Sequence, residues 1–168
     1  MVKADWSIYE EDYWAMNSVM SDLLKSSNSR SALLIDRTGQ LITNVGTPPD
    51  FDVQAFASLC AADFEANNQL AQLIGEKDFS TLYHQGVEDS MYLARIARDV
   101  ILVVLFDKST TLGLVRLRVK RAVDELSAIV ERLFEKLEYR NEEYDENGGM
   151  DAELAEGIES EIDKLFAD

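Results

Sequence analysis

Two prolines, one cysteine and one histidine are all that this 168-residue chain has of those types. Positive charge is also scarce, with 16 Lys and Arg against 32 Asp and Glu and a formal net charge of −16. A lone cysteine, Cys60, excludes an intrachain disulfide and gives no sign of an oxidising compartment. A lone histidine, His84, argues against a metal centre, and its place in a strand-like run suits a packed or hydrogen-bonded residue. With a pI near 4.3, the chain as a whole would oppose phosphate-rich partners, so neither nucleic acid nor a membrane surface is expected. No stretch approaches the roughly 18 consecutive apolar residues of a membrane span. The opening MVKADWSIYEEDYW lacks the basic flank and apolar run of a secretory leader, so the expectation is a cytosolic protein. There is no G-x-x-x-x-G-K-[ST] and no glycine-rich loop after a strand, so the chain is not expected to bind nucleotide or another cofactor itself.

What is present is a core: 46% of residues are hydrophobic, enough for one compact domain. Ser7 and Glu10 fit a capping box, and Tyr9, Tyr13, Met16, Met20 and Leu23 recur at helical spacing up to KSSNSR. SALLID and QLITNVG, joined by RTG with Gly39 in the turn, predict a hairpin. After TPPD, Asp52 can cap a helix from about Val53 to Ile74, closed by Gly75. TLYHQG, SMYLARIA and VILVVLF predict three further strands. Leu112, Val115, Val119, Ala122, Leu126, Ile129, Leu133 and Leu137 then mark one face of a helix from about Thr111 to Leu137. The fold class is α+β: a five-stranded antiparallel sheet with flanking helices in the order α-β-β-α-β-β-β-α.

Charge is distributed unevenly. Residues 138–168 carry twelve acidic residues against Arg140 and Lys164, which separates a tail from the domain at 1–137. Residues 138–150 read as an acidic flexible linker. Within 151–168, Ile158, Ile162, Leu165 and Phe166 fall on one side of a helix and Glu159, Glu161, Asp163 and Lys164 on the other, predicting a C-terminal amphipathic helix. The start of the long third helix is the opposite, with Arg116, Arg118, Lys120 and Arg121 in six positions. Lys120 has Asp124 and Arg121 has Glu125 one turn on, whereas Arg116 and Arg118 have no acid at helical spacing. Tertiary pairing is one way to satisfy them; an acidic surface, from a partner or from the chain's own tail, is the other.

The second helix carries only Asp63 and Glu65 as charges between Val53 and Gly75. Leu59, Phe64, Leu70 and Leu73 alternate with alanines nearly all the way round, so one face meets the sheet and another is expected to meet a second protein. Ala61, Ala62 and Ala66 would let two such helices approach closely, with Leu59 and Leu73 completing a dimer interface. Cys60 reads as a buried small hydrophobe and not as a reactive thiol. No nucleophile is signalled, and the acidic pairs Glu10-Glu11, Glu88-Asp89 and Glu142-Glu143 read as solvated surface.

The element order, with ALLIDRTGQLI, LAQLIGEKDFSTLYHQG and DVILVVLFDKSTTLGLVRLRVKRA in sequence, resembles the Roadblock family of dynein light chain-related proteins, with their longin-like fold. The resemblance covers roughly Tyr9 to Leu137. It implies a non-catalytic homodimer whose paired second helices and continuous sheet form a platform for one small Ras-like GTPase of the bacterial MglA type. It also implies faster GTP hydrolysis through the GTPase's own switch residues, with no arginine finger from the activator, in the service of cell polarity or motility and so at a cell pole. An acidic C-terminal helix that contacts the GTPase, favouring binding or nucleotide exchange, belongs to the same expectation. A scaffold that tethers a GTPase or another complex without activating it is the alternative. The residues expected to meet the partner are Ala61, Glu65, Asn68, Gln69, Gln72, Arg116, Arg118, Arg121, Ile158, Ile162, Leu165 and Phe166. Small residues usually line this part of the helix in such proteins, whereas DFEANNQ makes a bulkier, more polar strip.

Overall fold

The computed structural model of the protein describes residues 10–146, with side-chain surroundings for 10–139. Ser7 of the expected capping box and the expected helix at 151–168, with Ile158, Ile162, Leu165 and Phe166, lie outside the described residues. The elements are α1 (Glu10–Ser27), β1 (Ser31–Ile35), β2 (Leu41–Gly46), α2 (Val53–Leu73), β3 (Thr81–Gln85), β4 (Asp89–Arg95), β5 (Ile101–Asp107) and α3 (Leu112–Glu146). The strands form one antiparallel sheet in the order β2-β1-β5-β4-β3. Both the class and the element order match the expectation from hydrophobic periodicity.

Two compact units divide the chain, residues 1–131 and 132–168. The second begins within α3. The composition-based linker is partly displaced, because α3 is helical to Glu146. Charge density does not break a helix: no glycine or proline interrupts the sequence between Leu114 and Asn147, and Glu, Lys, Arg and Leu are all good helix formers.

Within the first unit, strand alternation sends side chains to two faces. Leu33, Ile35, Leu93, Ile101 and Val103 form one buried cluster with Ala57, Cys60, Ala61 and Phe64 of α2. Ala32, Leu34, Tyr92, Ala94, Leu102 and Val104, of opposite parity, are buried on the other face. On that side α1 packs against β1 and β2, and Thr43 Oγ1 donates to Asn17 Oδ1 at 3.0 Å. Met16, Met20 and Leu23 of α1 are buried, as are Val115, Val119, Ala122, Leu126 and Ile129 of α3. A tight turn at Ala97–Asp99, with Arg98 and Asp99 at left-handed φ of 57° and 59°, returns the chain to the central strand β5.

The ends of α2 are fixed by local chemistry. Asp52 accepts from the Ala55 amide at 3.0 Å, filling one of the vacancies that every helix N-terminus leaves. At the other end the amides of Gly75 and Glu76 return to the carbonyls of Gln72 and Ala71 at 3.1 and 2.9 Å, with Gly75 at φ 85°. The β1–β2 turn then pins the start of α2 sideways. Asp36 Oδ1 accepts from the Thr38 amide, the Thr38 hydroxyl and the Gln40 amide at 2.8, 2.7 and 2.9 Å. Gln54 Nε2 donates to the Gly39 carbonyl at 2.9 Å. Gly39 lies at φ 85°, and a Cβ there would sit 2.5 Å from Ser58 Cα. Gly39→Ala therefore combines backbone strain with a collision against a helix backbone that cannot swing aside. The expected loss is about 2–4 kcal/mol of unfolding free energy in a urea titration; a loss below about 0.5 kcal/mol, the range of an ordinary surface change, would show that the turn is not seated on α2.

Candidate functional site

A helix packed on a sheet normally turns a polar face to water. The outward side of α2 does not. Leu59, Leu70 and Leu73 are 70%, 58% and 82% exposed, and Ala55, Ala62 and Ala66 are exposed between them. At 100° per residue these six positions fall within about 80° of arc, a continuous apolar stripe roughly opposite the buried Ala57, Ala61, Phe64 and Ala71. Beside it, Ser58, Glu65, Gln69 and Gln72 form an exposed polar strip, in which Gln69 Nε2 donates to Glu65 Oε1 at 2.9 Å.

Four of the residues expected at a dimer interface, Leu59, Ala62, Ala66 and Leu73, thus share one exposed stripe. Leu70, named among the apolar residues of this helix but not assigned to the interface, completes it. Ala61 is a correction: it is 6% exposed and belongs to the cluster against the sheet, so it is not on the outward face. One residue of phase separates it from Ala62, and composition alone cannot assign which of two adjacent alanines faces inward. Asn68 is likewise half-buried and engaged, accepting from Arg95 Nη2 at 2.7 Å.

Arg95 organises the flank of the helix. Its Nη1 donates to Asp78 Oδ2 at 3.0 Å, and its guanidinium lies 5.6 Å from the centre of the Phe64 ring. A depression of about 260 Å³ opens there, lined by Arg37, Ala61, Phe64, Glu65, Asn68, Arg95, Asp99 and Ile101. Arg37, Arg95 and Asp99 escaped sequence reading because they come from two turns and a strand end that only the sheet brings to α2. His84 is hydrogen-bonded, as expected: its Nε2 lies 2.6 Å from Asp63 Oδ2, tying β3 to α2.

The basic residues of α3 do not join this surface. They belong to the opposite side of the sheet, and they divide. Arg116 and Lys120 border a groove floored by Tyr92 and Ala94, whereas Arg118 and Arg121 border a cleft with Val19, Asp22 and Ser26 of α1. Arg121 Nε donates to Glu125 Oε1 at 2.9 Å, the expected pair within the helix. Arg118 Nε is buried with no hydrogen-bond partner. The sheet thus separates the residues expected to meet a partner on α3 from those expected on α2. Helical spacing assigns residues to a face of a helix but not helices to a side of a sheet.

The chemistry of α2 suits contact and not reaction. Burial, assisted by the Asp63 charge, pushes the Cys60 thiol up to about 12, so at pH 8 its thiolate fraction is on the order of 1 in 10,000. A maleimide should leave the native protein unlabelled at pH 8 and label it within minutes in urea; rapid native labelling would mean that the inner side of α2 opens readily.

The comparisons agree with this geometry. The model of the Roadblock/LC7 domain family matches residues 16–106. The structure is similar to that of MglB from Myxococcus xanthus, with 44% identity and a TM-score of 0.70, covering 75% of this chain and 95% of that one. It is also similar to the gliding protein MglB of Thermus thermophilus, with 31% identity and a TM-score of 0.73, covering 78% and 99%. An uncharacterised protein of Methanocaldococcus jannaschii is 28% identical over 114 residues, 68% of this chain and 98% of its own.

Proposed function

Since the chain belongs to the Roadblock/LC7 family, we propose that it is a homodimeric regulator of a small Ras-like GTPase of the bacterial MglA type. It would act as a GTPase-activating protein in cell polarity or motility, at a cell pole in the cytoplasm. The observation that carries this reading is the outward stripe of α2: three leucines between 58% and 82% exposed on an uncharged, alanine-lined helix face. In a dimer two such stripes meet, and the alanines allow close backbone approach. Covering the six leucines is worth about 6–12 kcal/mol, against an association cost of roughly 4–15 kcal/mol. The stripe therefore brings the dimer near balance, and the outer edge of β3, next to the chain leaving α2, adds strand pairing that extends the sheet into the second copy.

Pairing two copies of α2 sets their polar strips side by side. Glu65, Gln69 and Gln72 then form the rim of a platform wide enough for one GTPase, with the depression around Arg95 at its border. Their part is to hold the GTPase's switch segments in the hydrolytic arrangement, so that its own residues orient the attacking water. No arginine finger comes from α2, whose outward strip has no cation. Similarity to MglB supports the GTPase partner, and the Thermus relative's description as a gliding protein supports motility. The acidic segment 151–168 adds a second contact to the same GTPase through its effective concentration.

Multiple-turnover GTP hydrolysis by the cognate GTPase tests activation. Added chain should raise the rate at sub-stoichiometric dimer, and binding without acceleration would leave only a tethering scaffold. Ala66→Arg forces an unpaired guanidinium into the stripe contact, with an expected cost of about 3–5 kcal/mol. This variant should sediment as a monomer and fail to accelerate hydrolysis; a stable dimer with full activity would place the interface elsewhere. Deleting residues 151–168 should leave the dimer intact and weaken binding of GTP-loaded GTPase by roughly tenfold or more, read by titration; unchanged affinity would remove the segment from the mechanism.

A further inference from the structure

The groove on the α3 side of the sheet shares only Arg95 with the border of the α2 platform. It encloses about 580 Å³ and is lined by Ser80, Thr81, Tyr92, Ala94, Arg95, Gly113, Arg116, Leu117, Val119, Lys120, Val123 and Asp124. Its size lies within the roughly 300–1,000 Å³ of binding pockets. The floor is apolar, and Leu117 stands 63% exposed at its border. Arg116 and Lys120 flank it and form no ion pair among the described residues, although Asp124 lies one turn from Lys120. Arg116 and Lys120 lie one turn apart on the same side of α3. An occupant that suits this groove has apolar side chains along one side and carboxylates along its border.

The charge of the whole chain narrows the choice. A membrane or nucleic acid presents many phosphates over a wide surface and meets the repulsion of a chain with net charge −16. A short acidic segment, in contrast, feels mainly charges within about one Debye length, roughly 8 Å at physiological salt. Every copy of this chain carries one such segment. Residues 151–168 have seven carboxylates against Lys164, with Ile158, Ile162, Leu165 and Phe166 at helical spacing on one side.

We propose that this groove receives the acidic segment 151–168 of a second copy of the chain. Ile162, Leu165 and Phe166 enter over Tyr92, Ala94 and Leu117, while Glu159, Glu161 and Asp163 meet Arg116 and Lys120. The inference rests on the proposed dimer, in which each of two grooves has one segment from the other copy at high effective concentration. It adds a regulatory consequence: the groove and the GTPase compete for the same segment, so an occupied groove holds it back until the GTPase is bound.

The test uses the chain ending at residue 150 and a fluorescein-labelled peptide of residues 151–168, with anisotropy as the readout. Saturable binding is expected. It should weaken at least tenfold for Arg116→Glu with Lys120→Glu, and for a peptide carrying Ile162→Ser and Phe166→Ser. Lys120→Gln with Leu117→Ser, milder changes at exposed positions, should also weaken binding. No saturable binding, or equal affinity for these variants, overturns the proposal. In the full-length chain, carbodiimide coupling of Lys120 to the segment's carboxylates in mixed ¹⁴N/¹⁵N samples should give products joining light to heavy chains; products confined to one chain overturn the second copy as source. Sedimentation of the truncated chain keeps the two readings apart. A dimer that ignores the peptide defeats this inference alone, whereas a monomer defeats the proposed dimer whatever the peptide does.

Discussion

The contact between the inner side of α2 and the sheet determines which residues of that helix are left outside. Ala57, Cys60, Ala61 and Phe64 meet Leu33, Ile35, Leu93, Ile101 and Val103 in one cluster, and this contact fixes the rotation of the helix about its axis. A turn of one residue either way would bury a different stripe and expose a different set. With the rotation held by Phe64 inside and the Gly39 turn against Ser58, the remaining apolar positions have nowhere to go but outward. The exposed stripe is therefore a consequence of a helix with more apolar residues than one sheet face can cover.

Much of this was legible in the sequence because period and punctuation agree. Asp52 and Gly75 mark the ends of α2, Gly39 marks the hairpin, and the strands alternate as the sheet requires. Leu59, Ala62, Ala66 and Leu73 follow from the composition of α2, apolar nearly all the way round, and not from a phase of the helix. What was not legible depends on position in space. Ala61 and Ala62 are indistinguishable by type, yet the helix rotation buries one and exposes the other. Arg95 and Asn68 lie 27 positions apart in sequence and become hydrogen-bond partners only through sheet order. The extension of α3 to Glu146 escaped a reading that equated dense charge with a linker, although the residues there favour helix.

The two sides of the sheet offer different chemistry to partners. The α2 side presents leucine, alanine and a polar strip without a cation, and its inner thiol is held protonated by burial. The α3 side presents arginine and lysine around an apolar floor. Separation by the sheet leaves each side open to contact independently of the other. An uncharged apolar stripe on one side and a basic border on the other give the two surfaces different binding chemistry.

On the proposed reading, α2 builds a working surface only when two copies pair. Native mass spectrometry of the chain mixed with GTP-loaded GTPase measures this directly. The expected result is a dominant species with two copies of the chain and one GTPase, and no complex when α2 pairing is blocked. A species with one GTPase on each single chain, formed equally well without pairing, would contradict it.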